Sequence, residues 1–182
     1  MAGREVLLAV TGGIAAFKAA TVASRLVQRG CGVSVAMTSA ARRFITPLTF
    51  RALTGRPVYT SIWRTENPAD QQHLTLTERA DVFIIAPATA DIIGRIAAGL
   101  GDDLVSTLAL SVASPVLLAP AMNTRMWENP IVQRNLSALC ALGWQVVEPG
   151  EGWLACRTVG KGRMAEPEEI VERAVQIMRA RV

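Results

Sequence analysis

The residues able to do chemistry fall in a few short segments. His73, in "QQHLTLTERAD", is the only histidine of the chain, and its ordinary pKa suits it to proton transfer near neutral pH. A lone histidine is as readily structural. Cys156 lies in "GEGWLACRTVGKGRMAEP", bracketed by Gly150, Gly152, Gly160 and Gly162. A thiol in a glycine-rich loop beside Arg157, Lys161 and Arg163 is a candidate reactive group, because nearby cations favour the thiolate. Loops of this kind also act as lids. "PAMNTRMWENP" (residues 120–130) follows an apolar run and presents Asn123 among Met122, Met126 and Trp127. It reads either as a packing corner or as a ligand wall.

Three further segments suit a phosphate or a flat ring. "TGGIAAFK" (11–18) sets Gly12 and Gly13 before a helix-sized stretch, and a helix start offers free amides and a positive dipole end to an anion. It lacks the third glycine of G-x-G-x-x-G and the Gly-Lys-Ser/Thr of a P-loop. "TSAARRF" (38–44) carries the Thr38 and Ser39 hydroxyls, which could bind a phosphate or cap the next helix. In "APATAD" (86–91), Pro87 is expected to end a strand and force a turn. The small residues Ala88, Thr89 and Ala90 leave room for a ring, and Asp91 is a candidate N-cap. Asp102 or Asp103 could cap another helix in the same way.

These segments sit at the ends of predicted strands. "EVLLAV", "GVSVAM", "DVFIIAPA", "PVLLAPA" and "WQVVEP" are short apolar runs, separated by stretches with helical spacing. The last of those stretches, "EPEEIVERAVQIMRARV", has acidic residues early, arginines late and Ile170, Val171, Ala174, Val175, Ile177 and Met178 on one face. Alternation of this kind predicts an α/β fold: a doubly wound parallel sheet of Rossmann or flavodoxin type, with helices on both faces in a three-layer sandwich. One domain over residues 1–182 is expected, with a substrate-clamp loop at about 150–166. Such sheets bind ligands beyond the carboxyl ends of their strands.

Composition narrows the function classes. Apolar residues make up 51% of the chain, yet no apolar run approaches the roughly 18–20 residues that span a bilayer. "VLLAVTGGIAAF" could pass for a signal-peptide core, but Glu5, the Gly12-Gly13 pair and Lys18 favour strand, glycine turn and helix. Three cysteines without C-x-x-C spacing predict a reducing, cytoplasmic setting. Cys140 is expected to be a buried helical thiol. No metal site is expected, since His73 is far in sequence from each cysteine. The net charge of +4 is scattered rather than clustered with aromatics, so neither nucleic acid nor membrane is an expected partner.

The segments together resemble a known family. "PAMNTRMW" fits the P-x-M-N-x-x-M pattern of the flavin-dependent cysteine decarboxylases, and "TGGIAAFK" and "APATADIIGRIAAGLGDDLVST" are similar to the same family. The likeness covers about residues 5–178 and is nearest to the coenzyme A branch, because "GWLACRTVGKGRMAEP" resembles its substrate clamp. Arg157 departs from the glycine often found after that cysteine. The resemblance implies FMN as cofactor and the decarboxylation of 4′-phosphopantothenoylcysteine to 4′-phosphopantetheine through a thioaldehyde and an ene-thiol. It further implies His73 as base, Cys156 as proton donor, and Asn123 on the substrate carboxylate, with Met126 and Ala155 also at the substrate. The FMN phosphate would meet Gly12, Gly13, Ile14, Thr38 and Ser39, with Phe44 nearby. Its ring would meet Pro87, Ala88, Thr89, Ala90, Asp91 and Ala121. The expected partners are the small-molecule substrate, further copies in a homo-oligomer (a trimer, or a dodecamer of trimers) and a phosphopantothenate–cysteine ligase domain or protein. The alternatives are a peptidyl-cysteine decarboxylase of lantibiotic type, a flavin prenyltransferase and a non-catalytic flavoprotein regulator.

Overall fold

The computed structural model describes residues 1–63 and 72–180, apart from the side chains at 72–74. Six strands form one parallel sheet: β1 (Glu5–Val10), β2 (Gly32–Met37), β3 (Val58–Tyr59), β4 (Val82–Ala88), β5 (Val116–Pro120) and β6 (Gln145–Val146). Their order is β3-β2-β1-β4-β5-β6, which is the Rossmann order rather than the flavodoxin one. The chain therefore builds outward from β1 in one direction, then returns to β4 and builds in the other. The crevice beyond the carboxyl ends of β1 and β4 is the switch point.

The central strands are apolar along their length because helices cover both faces. In β1, Val6, Leu8 and Val10 join one cluster, while Leu7 and Ala9 join the other, as the two-residue period of a strand requires. The first cluster is closed by α1 (Ala16–Gln28), by Phe50 of α2 (Pro47–Thr54) and by α8 (Pro167–Arg179). All six residues assigned in sequence to the inner face of α8 are buried. The second cluster takes Leu76 of α3 (Gln72–Arg79), then α4 (Ala90–Ala97), α5 (Leu104–Ser111), Trp127 of α6 (Thr124–Trp127) and α7 (Pro130–Ala141).

Several local expectations are corrected. The sheet has six strands rather than five: β3 holds two half-buried residues, too few to show a period. Pro87 does not end β4. The strand continues to Ala88, with its pairing to β5 shifting between Ile85 and Ala88, since proline supplies no N–H to the ladder. The N-cap of α4 is Thr89, not Asp91; of the two candidates left open at α5, Asp103 is the cap, in a reciprocal pair with Ser106. Cys140 is helical as expected, but it is exposed. The glycine-rich segment is an antiparallel hairpin of β7 (Gly150–Trp153) and β8 (Val159–Arg163) rather than an irregular loop.

Candidate active site

Four strand-end segments and the hairpin surround a cavity of about 1180 Å³. At the end of β1, the first turn of α1 begins with the Ala16 amide donating to the Gly13 carbonyl at 2.9 Å. The preceding amides of Gly13, Ile14 and Ala15 donate to no acceptor among the described residues, and all three residues line the cavity. Free amides at a helix start make an anion site. Gly12 has a separate reason to be glycine: a Cβ there would overlap that of Ala40, so this turn can rest on the turn after β2 only without a side chain. In that second turn, the Thr38 hydroxyl accepts from the Ala41 amide at 3.1 Å, while Ala40, not Thr38 or Ser39, stands at the N-cap of the single helical turn Ala41–Arg43. Thr38 and Ser39 nevertheless both face the cavity.

The end of β4 is tied to that of β1. The buried Thr11 hydroxyl donates to the Pro87 carbonyl at 2.5 Å, and Thr89 is 3.3 Å away. Thr89, Ala90 and Asp91 line the cavity, whereas Pro87 and Ala88, expected there from sequence, do not. Arg95 holds Asp91 through two contacts of 3.0 Å and Asp102 at 2.5 Å. Its hydrogen bonds to these carboxylates, with that to Asp102 the larger effect, raise its pKa further, and Arg95 lowers that of Asp102. Arg95 and Asp102 are thereby held as ions on the cavity rim, with Asp91 beside them.

Beyond β5, Ala121, Met122, Asn123 and Met126 form the opposite wall. The Asn123 side-chain oxygen accepts from the Met126 amide at 3.0 Å and caps α6. That use of the oxygen aims the geometry of the residue and leaves the amide NH2 as donor. Trp127 is core, only 6% exposed.

The hairpin closes the remaining side. Its tip turns at Leu154–Arg157, with the Arg157 amide donating to the Leu154 carbonyl at 2.9 Å and the Leu154 amide to the Thr158 carbonyl at 2.8 Å. Arg157 has φ 64°, the left-handed position of such a hairpin loop, where glycine is preferred. Ala155 and Cys156 line the cavity, and the Cys156 sulfur lies 3.1 Å from the Thr158 hydroxyl. At the foot, Lys18 donates to the Met164 carbonyl at 3.1 Å and to Glu166 at 3.0 Å, and Glu166 also pairs with Arg163. Lys18 is 8% exposed and lines the cavity. Apart from His73, one expected site residue stands away from the lining beside Pro87 and Ala88: Phe44 is 52% exposed. His73 belongs to α3, but its side chain is outside the described residues. Sequence reading missed Lys18, Arg95, Trp153 and Asp102 as lining residues. The available signals were that Lys18 closes the "TGGIAAFK" segment and that Arg95 stands one helical turn after Asp91. Among the described residues no cluster could hold a metal ion, and no helix is long and apolar enough to cross a membrane.

The Flavoprotein family model matches residues 1–179. The chain belongs to the flavoprotein family. The Bacillus subtilis coenzyme A biosynthesis bifunctional protein CoaBC is 49% identical over 171 residues, covering 94% of this chain and 42% of that protein. The chain thus spans less than half the length of that relative. A probable phosphopantothenoylcysteine decarboxylase of Streptococcus mutans is 41% identical over 93% of this chain and 96% of its own. Among solved structures, a cysteine-to-serine PPC decarboxylase mutant complexed with pantothenoylaminoethenethiol superposes with a TM-score of 0.87 at 30% identity, covering 97% of this chain and 98% of that one. The FMN binding protein AtHal3 gives 0.84 at 31%, covering 98% of each.

Proposed function

We propose that this flavoprotein domain is an FMN-dependent carboxy-lyase that decarboxylates 4′-phosphopantothenoylcysteine to 4′-phosphopantetheine in coenzyme A biosynthesis. The observation that carries the reading is convergence: the free amides of the β1–α1 turn, Asn123 and the Cys156 hairpin all face one cavity. The cavity suits FMN. It offers uncommitted donors for a phosphate at the start of α1, and small or apolar residues (Ala90, Ala121, Met122) where a flat ring needs a wall.

Bound there, FMN would supply a hydride acceptor and donor, which is the redox chemistry that no side chain can provide. The chain's own residues bind, orient and protonate. The Asn123 NH2 donates to the substrate carboxylate, because its oxygen is already committed to the cap. Met126 and Ala155 bound the substrate on either side. Cys156 is the proton donor of the second half-reaction, carried by the hairpin that shuts water out. His73 is the base of the first. The exposed Ile14 and Phe17 at the cavity mouth suit burial against further copies of the chain, in a trimer or a dodecamer of trimers. Residues 1–182 act as one domain, in the cytoplasm, with a phosphopantothenate–cysteine ligase domain or protein as partner.

The test uses Cys156→Ser. The variant should retain yellow flavin and release CO2 from phosphopantothenoylcysteine, yet yield no 4′-phosphopantetheine. Full product formation would remove Cys156 from the reaction. Turnover of a cysteine-ending peptide without turnover of phosphopantothenoylcysteine would transfer the domain to the peptidyl branch.

A further inference from the structure

Hydrophobic burial holds the hairpin only at its ends, at Leu154 in the tip and at Met164 just beyond β8. Of β7 and β8, only Gly162 is buried, and an isolated two-stranded hairpin is marginally stable in water. Its return strand instead lies backbone-on-backbone against the Asn123 wall. The Met122 amide donates to the Gly162 carbonyl at 3.0 Å. A Cβ at Gly160 would overlap Thr124, and one at Gly162 would overlap the Met122 carbonyl. Close approach thus uses up both glycines, and neither has a side chain with which to anchor the contact. Lys161, between them, does. Its ammonium stands 5.6 Å from the centroid of the Trp127 ring and 3.1 Å from a Glu148 carboxylate oxygen. Trp127 closes α6, which starts directly after Asn123, and Glu148 lies at the root of β7. One cation therefore spans both hairpin strands and the wall that carries Asn123. Lys161 does not line the cavity, whereas Lys18, Arg95 and Arg163 do, each paired with a carboxylate.

We propose that Lys161 is a positioning residue. Seated between the Trp127 face and the Glu148 carboxylate, it latches the hairpin onto the Asn123 wall and so sets Cys156 over the substrate held there. The catalytic consequence rests on the proposed decarboxylation; the latch itself does not. A cation on an indole face and a half-exposed ion pair each contribute modestly, so loss of the latch should open the hairpin about five-fold more often.

The experiment compares flavin-loaded wild type, Lys161→Met and Lys161→Arg by hydrogen exchange, read by mass spectrometry on peptides covering 122–127 and 150–163, together with kcat and KM. Methionine keeps the apolar stem, and arginine keeps both the charge and the stacking. Lys161→Met should exchange about five-fold faster in both segments and unchanged in β1 and α1, with KM raised by a similar factor. Lys161→Arg should restore wild-type exchange. Unchanged exchange in Lys161→Met, or an arginine variant no better than the methionine one, would overturn the latch. Absence of decarboxylase activity in the wild type would instead count against the proposed reaction, leaving the exchange result intact.

Discussion

Asn123 combines two duties that a single substitution can separate. Its oxygen caps α6 and its amide is assigned to the substrate carboxylate. Aspartate caps a helix start as well as asparagine does, so Asn123→Asp should leave the thermal midpoint almost unchanged. It offers no donor and adds a negative charge facing the carboxylate. Loss of a hydrogen bond to a charged group costs about 1.5–3 kcal/mol, so activity should fall about 100-fold or more in a steady-state assay. A variant that melts early would show that the cap matters more than the ligand contact. Asn123 and Cys156 were legible as candidates because their residue types are chemically distinctive and stand at unusual places in the chain. Lys18 was not legible: a lysine on an amphipathic helix looks solvent-facing until α8 and the hairpin foot close over it.

Among the elements, the hairpin departs furthest from its sequence reading. Its glycines suggested an irregular loop, because periodicity detects buried faces and this pair has almost none. The pairing register follows from backbone hydrogen bonds alone. Within it, Arg157 occupies a left-handed conformation, which costs a non-glycine residue about 1–2 kcal/mol. Arg157→Gly relieves that strain, partly offset by about 0.4–1 kcal/mol of extra freedom in the open chain. The net effect should tighten the tip, slowing exchange of the Leu154 amide several-fold, as measured by NMR. Exchange that speeds up instead would mean that the arginine side chain anchors the tip. The sheet strands, by contrast, were read almost to the residue in β1 and β2. Their apolar runs are bounded by glycine, and Glu5, the Gly12-Gly13 pair and Lys18 set aside the signal-peptide reading of the first.

Across the whole molecule, α1 and α8 are laced together by Lys18–Glu166, Arg25–Glu168 and Arg29–Glu172. The hydrogen bond from Arg29 holds the Glu172 carboxyl below its ordinary value of 4.5. A carboxyl whose pKa is lowered by folding stabilises the native state above its unfolded pKa, and that contribution is lost as pH falls through the folded value. Thermal midpoints measured on descending from pH 4.5 should therefore drop more steeply in wild type than in Glu172→Gln. Parallel curves would show that this pair contributes nothing to folding. By itself, the amino-acid sequence determined the alternation of strands and helices, the doubly wound sheet and the strand-end segments that line the cavity. Those follow from local periodicity and turn chemistry, which neighbouring residues settle among themselves. Only the tertiary structure decided the strand order, the docking of the hairpin on the Asn123 wall and the charged rim of Lys18, Arg95 and Asp102. The strand order, the hairpin docking and the contacts of Lys18 join residues distant in the chain, and the Arg95–Asp102 pair needs the turn between α4 and α5 to bring its members together, so packing and ion pairing, rather than residue type, select the partner.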